Sequence, residues 1–201
     1  MDKLSYSLGL SIAQNLAQSG VRKLSYEDFK NGVKDAMTGA QPAITYEEAN
    51  EVLNDFFAAA EAEAKEKQSA MAAAFKDEGE AFLAANATKE GVVVLKSGLQ
   101  YKVLREGQGR KPGRRDKVRC HYEGTLTNGM KFDSSYDRKE PAVFGVNQVI
   151  AGWTEALQLM AEGSEWELYI PYQLAYGEQG AHGSIPPCAA LVFKVELLEV
   201  L

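Results

Sequence analysis

From Thr45 to Glu78 the chain contains neither glycine nor proline, and Leu53, Phe57, Ala60, Ala64, Met71, Phe75 and Phe82 keep helical spacing through and just beyond that run. Thr45 followed by Glu48 supplies a capping-type start. The pattern predicts one helix over about 45–84, about 60 Å long at ~1.5 Å per residue. A small domain has no dimension of that size, so the helix must project or pack on a partner.

Two shorter helices are expected ahead of it. Leu4, Leu8, Ile12 and Leu16 recur every four residues up to Gly20, and Ser25 with Asp28 opens a second amphipathic run through Phe29, Val33 and Met37 that Gly39 closes. Together they total fewer than about forty residues, and a unit that small buries too little apolar area to stand alone. Either Leu8, Ile12, Phe29, Val33, Phe56 and Phe57 form an ordinary intrachain core, or they are covered by a second copy of the chain.

Composition changes near residue 87. Upstream lies a single proline, Pro42, among Ala/Glu/Lys-rich runs; downstream, short alternating segments are separated by glycine turns. Leu99–Leu104, Lys117–Glu123, a segment around Val143, Ser164–Ile170 and Leu191–Val200 read as strands, with Thr127-Asn128-Gly129 as a hairpin turn. One short helix is expected from Trp153 to Met160, closed by Gly163. The division predicted is 1–87, a helical domain with its long connecting helix, and 88–201, an α+β domain whose antiparallel sheet can wrap one helix.

Of the 201 residues 45% are apolar and the net charge is −6, which argues for a globular protein and against a general binder of nucleic acid. The basic cluster Arg110, Lys111, Arg114, Arg115 sits in a Gly/Pro turn and reads as a solvated loop. No stretch resembles a signal peptide or a membrane helix, so the chain is expected to be cytoplasmic, with a periplasmic or outer-membrane-anchored form as the alternative for a trimmed chain. Cys120 and Cys188 read as buried thiols. Cys120 and its neighbour His121 point to opposite faces of a strand, and His182 with Cys188 is an incomplete pair, so no zinc site is expected.

Five fragments in order then carry the functional signal: Val118-Arg119-Cys120-His121-Tyr122-Glu123-Gly124, Lys131-Phe132-Asp133-Ser134-Ser135, Val149-Ile150-Ala151-Gly152-Trp153, Leu174-Ala175-Tyr176-Gly177 and Ile185-Pro186-Pro187. Together they resemble the FKBP-type peptidyl-prolyl cis-trans isomerases, in particular the bacterial two-domain, macrophage infectivity potentiator-like branch. The resemblance implies a curved antiparallel sheet around one helix and a homodimer formed through the N-terminal helices. It also implies proline-containing, unfolded or partly folded polypeptides as substrates, and macrolides as inhibitors.

By the same resemblance Trp153 forms the floor under the proline ring, with Tyr122, Phe132, Phe144, Val149 and Phe193 as walls. Ile150 through its backbone N–H and Tyr176 through its hydroxyl would hold substrate carbonyls, Ile185 would add an apolar wall, and Asp133 beside Tyr122 would be the one charged group near the twisting carbonyl. Asp133, Tyr176, Phe132 and Trp153 are the candidate catalytic set. Read alone, the apolar members fit an ordinary β-domain core, and Asp133 fits a carboxylate hydrogen-bonded to the Ser134-Ser135 turn. Ala142 and the loop Ala181-His182-Gly183-Ser184 depart from the family pattern, which bears on macrolide affinity and on preference before proline.

Rotation about a prolyl amide crosses a barrier of ~18–20 kcal/mol without breaking a bond, so the reaction needs no nucleophile, metal or cofactor. Rival chemistries find little here: Gly107, Gly109 and Gly113 lack dinucleotide-loop spacing, no phosphate-binding GxxxxGK[ST] run occurs, and His121 has no nucleophile in a recognisable motif. The competing expectation is a chaperone or peptide-binding module that holds unfolded chains with little turnover.

Overall fold

Asp2 begins the first helix by accepting the Ser5 N–H at 2.8 Å, and α1 runs Lys3–Gln18. Ser25 does the same for α2, Tyr26–Thr38, which ends at Gly39 in the left-handed conformation (φ 68°). At Thr45 the capping is reciprocal. Its hydroxyl accepts the Glu48 N–H at 3.1 Å while the Glu48 carboxylate accepts the Thr45 N–H at 2.8 Å, and α3 follows as Tyr46–Asn86. These are features of a computed structural model that describes residues 1–181 and 183–201. Of the incomplete pair His182 and Cys188, His182 falls outside the described residues.

The chain divides into two units, Met1–Lys67 and Gln68–Leu201. In the first, neither α1 nor α2 has a single buried residue. Their amphipathic periodicity is as expected, but no intrachain core forms on it. Leu8 is 54% and Ile12 40% exposed.

The second unit begins with the C-terminal half of α3, which packs on the sheet. Gly79 makes the approach possible, since a Cβ there would lie 2.9 Å from that of Ala190. Below it Phe82 meets Tyr169, and Asn86 donates to Gln100 at 3.0 Å. Among the described residues the strands are β1 Val92–Val94, β2 Gln100–Arg105, β3 Lys117–Leu126, β4 Lys131–Ser134, β5 Ala142–Gly145, β6 Glu165–Ile170 and β7 Leu191–Val200. They pair antiparallel in the order β1-β2-β6-β7-β3-β4, with β5 also on β3. The α+β architecture matches the expectation, and β1 is an addition to it.

Side-chain alternation fixes the register. Val118, Cys120, Tyr122, Gly124 and Leu126 of β3 face inward and are buried, while the residues between them are not. Helix α4, Ala151–Leu157, lies on this face and contributes Trp153, Ala156 and Leu157 to the core. It stops earlier than the predicted Met160 because the Leu159 N–H takes the Ala156 carbonyl, three residues back, and tightens the last turn. Its close seat depends on Gly152, where a Cβ would lie 2.6 Å from Ile170 Cγ2. Cys120 and Cys188 are buried free thiols, and burial pushes the Cys120 thiol up to about 12. Among the described residues no helix is long and apolar enough to cross a membrane.

Candidate active site

A cavity of about 480 Å³ opens between α4 and the inner face of the sheet. Tyr122 reaches it from β3, Phe132 and Asp133 from β4, Phe144 from β5 and Phe193 from β7. Val149 and Ile150 lie on the approach to α4, Trp153 on its first turn, and Tyr176 on the turn after β6. Nine of the ten residues singled out in the sequence therefore line one space. Ile185 does not; it is buried elsewhere, in a groove near the β3–β4 hairpin.

Trp153 is 4% exposed, and three rings stand almost perpendicular to its indole: Tyr122 (5.3 Å, 88°), Phe144 (5.7 Å, 81°) and Phe193 (5.3 Å, 85°). Edge-to-face contacts of this kind suit the quadrupoles of aromatic rings. They leave an apolar box with the indole as one side and ring faces as walls. Phe132 meets Phe193 at 84° and extends the wall.

The room inside depends on Gly124, which the sequence reading left without a role. A Cβ there would lie 2.6 Å from Phe193 Cε1 and 2.7 Å from Phe132 Cζ. Gln148, also unassigned by sequence, completes the lining.

At the polar rim, the Tyr122 hydroxyl donates to Asp133 Oδ2 at 2.5 Å, and Arg138 donates both to Asp133 Oδ1 and, at 2.8 Å, to the Tyr122 hydroxyl oxygen. Partial burial pushes the Asp133 carboxyl upward. The hydrogen bonds from Tyr122 and Arg138, with the guanidinium charge, outweigh it and hold the group below its ordinary range. Burial, and secondarily the Asp133 acceptor, raises Tyr122; burial and the Asp133 charge raise Tyr176.

Asp133 is thus an ionised carboxylate bound by two donors. The Ser134 N–H also favours the charged carboxylate, and the serine hydroxyls hold the neighbouring turn. Ser134 Oγ accepts the N–H groups of Tyr136 and Asp137, and Ser135 Oγ that of Tyr122. Arg138 escaped the sequence reading because a lone arginine in the charged turn Asp137-Arg138-Lys139 looks solvated. Only the fold shows that the turn curls back over Asp133.

Ile150 is the residue before the first turn of α4, and among the described residues its N–H donates to no protein acceptor. The Tyr176 hydroxyl, on a side chain that is partly exposed, likewise has no hydrogen-bond partner there.

An aromatic box with a few donors at its rim thus lies between an antiparallel sheet and a short helix. The family profile of the FKBP-type peptidyl-prolyl cis-trans isomerases matches residues 108–198, and that of the domain amino-terminal to it matches residues 1–103. The chain belongs to the FKBP-type peptidyl-prolyl cis-trans isomerases, enzymes that act on proline-containing polypeptides. It is 49% identical over 197 residues to the FKBP-type 22 kDa peptidyl-prolyl cis-trans isomerase of Escherichia coli (strain K12), covering 98% of this chain and 94% of that one. To the outer membrane protein MIP of Legionella longbeachae it is 44% identical over 199 residues, 99% of this chain and 85% of the other. The crystal structure of FkpA from Escherichia coli superposes with a TM-score of 0.75 at 36% identity, covering 98% and 92% of the two chains.

Proposed function

We propose that the cavity over Trp153 is the catalytic site, and that it works by making the planar prolyl amide less favourable than the twisted one. The perpendicular packing of Tyr122, Phe144 and Phe193 around the indole carries this reading. A planar amide owes its double-bond character to charge separation, oxygen negative and nitrogen positive, which water supports. An apolar box removes that support. The bound Asp133 carboxylate acts in the same direction, because a negative charge facing the carbonyl opposes the build-up of charge on its oxygen.

The free Ile150 N–H and the Tyr176 hydroxyl hold the flanking carbonyls, so that rotation occurs about the one bond left unheld. Phe132 and Val149 close the sides. With these roles residues 88–201 form the isomerase domain, and a cavity of this size and apolarity also accommodates macrolide inhibitors.

A protease-coupled assay on an Ala-Leu-Pro-Phe-type peptide tests the site. Asp133→Val and Trp153→Phe, each checked for folding, lower kcat/KM by tenfold or more on this reading. Wild-type rates in both folded variants would remove these residues from the mechanism.

Residues 1–87 we read as a homodimerising base, because the apolar faces of α1 and α2 have no cover within their own chain. The alternative occupant of those faces is an unfolded chain, which would make the protein a chaperone that holds clients with little turnover. Deleting α1 and α2 then abolishes suppression of aggregation while sparing turnover of a short peptide. For compartment, the sequence reading points to the cytoplasm, whereas the name of the Legionella longbeachae relative points to the outer membrane. Fractionation of the native cell decides between the two.

A further inference from the structure

A second groove, of about 460 Å³, lies between the C-terminal half of α3, the tip of the β3–β4 hairpin and the segment that ends at Pro187. Its apolar lining includes Met71, Phe75, Leu126, Met130, Ile185 and Pro186. Among the described residues none that lines it is charged, in a chain a quarter of whose residues are charged. Met130 is 62% and Met71 49% exposed, so two flexible thioethers stand open to solvent at its mouth. Methionine adapts its shape to varied apolar partners.

Three elements run from the catalytic cavity into this groove. On the inner face of β3, Tyr122 belongs to the cavity and Leu126 to the groove; Phe132 of β4 belongs to the cavity and Met130, just before that strand, to the groove. After β6, Tyr176 lines the first space and Ile185 the second. Along the hairpin, at ~3.3 Å per strand residue, the first two separations are about 7–13 Å, which an extended polypeptide crosses in about two to four residues.

The walls are fixed in advance. Ala181 and Ile185 exchange backbone hydrogen bonds of 2.9 and 3.0 Å, and Cys188 donates to the Gly177 carbonyl at 3.1 Å. Gly180 fits so closely beneath this bridge that a Cβ would lie 2.3 Å from the Ile185 carbonyl oxygen. Thr127 donates to Glu78 at 2.5 Å and ties the hairpin tip to α3.

We propose that the groove is a subsite for the same client polypeptide whose proline occupies the cavity, and that it takes an uncharged apolar side chain, such as leucine, methionine or phenylalanine, about three residues from that proline. The proposal rests on the reading of the cavity given above. Its occupant follows from the closeness of the two spaces along β3 and the β3–β4 hairpin and from the absence of charge among the described lining residues. Unfolded chains expose apolar side chains beside their prolines and folded ones bury them, so the subsite selects clients that still need isomerisation.

The test uses the full chain and exchange NMR on three kinds of peptide: a tetrapeptide Ala-Leu-Pro-Phe, and peptides of about twelve residues with that core and either leucine or serine three residues to each side. The leucine peptide is expected to show a KM on the order of tenfold below that of the serine peptide. Met130→Lys and Met71→Lys, each at an exposed position, bring the leucine-to-serine ratio to one. A leucine advantage that survived both variants, or its absence in the wild type while the tetrapeptide is turned over, would overturn the groove alone. No turnover of the tetrapeptide would sink the cavity reading, and the groove with it. If Met130→Lys instead changed the sedimenting mass of the protein, the groove would belong to contact with a second copy and the subsite would be refuted.

Discussion

The N-terminal helices and the C-terminal sheet carry equally regular apolar patterns, yet one pattern is exposed and the other is covered. In α1 every apolar position remains accessible, whereas β3 buries five alternate residues at 8% exposure or less or, at Gly124, against ring edges. Periodicity therefore tells which face of an element seeks cover and does not tell what provides it. In the C-terminal unit the cover is α4 and the opposing strands. In the N-terminal unit, on the proposed reading, it is another molecule.

The largest effect that separates the two regions is expected at Trp153. Truncation to alanine removes a buried indole that three rings pack against and costs about 3–5 kcal/mol of stability. Thermal unfolding followed in the near ultraviolet reports it. A loss under 1 kcal/mol would mean that the aromatic box is loosely packed, contrary to its geometry.

Gly124→Val is expected next, at about 1–3 kcal/mol, because the new side chain must displace Phe193 and Phe132. It also fills the cavity, so kcat/KM falls further than stability alone explains. Denaturant titration and peptide turnover, measured on the same sample, separate these two consequences.

The helical unit should respond in the opposite way. Leu8→Ser with Ile12→Ser touches exposed positions, so the unfolding free energy measured for the C-terminal unit changes by no more than about 0.5 kcal/mol. Sedimentation equilibrium then shows the mass falling from two chains to one. An unchanged mass would leave the apolar faces of α1 and α2 without an occupant and dismiss the dimeric base.

How far the sequence reached follows the same division. The capping pairs at Ser25 and Thr45, the Asn128-Gly129 hairpin and the alternation of β3 are local signals, and the structure carries all of them. Nine cavity residues were legible because the ordered fragments resemble those of a known family, whose pocket positions this chain matches. Arg138, Gln148 and the role of Gly124 were not, since each acts through a contact made between strands or turns distant in the chain. Ile185 illustrates the converse. Its apolar character was plain, but the bridge from Ala181 to Ile185 turns it into the groove beside Leu126 and not into the cavity.

The smallest effect concerns pH and tests the polar rim. The folded Asp133 carboxyl lies below its unfolded value of about 3.9. A depressed carboxylate adds stability that is present above the unfolded pKa and is lost as pH falls through the folded one. The contribution of the Tyr122–Asp133–Arg138 contacts therefore disappears only below about pH 4, and Arg138→Gln flattens that acid limb. Tyr176, raised above its ordinary value near 10, keeps its proton and its capacity to donate throughout the range between. Turnover of the short peptide should accordingly be level from about pH 5 to about pH 9. An inflection near neutrality would show that a different titrating group meets the substrate carbonyl, and would leave Asp133 as a brace for Tyr122 alone.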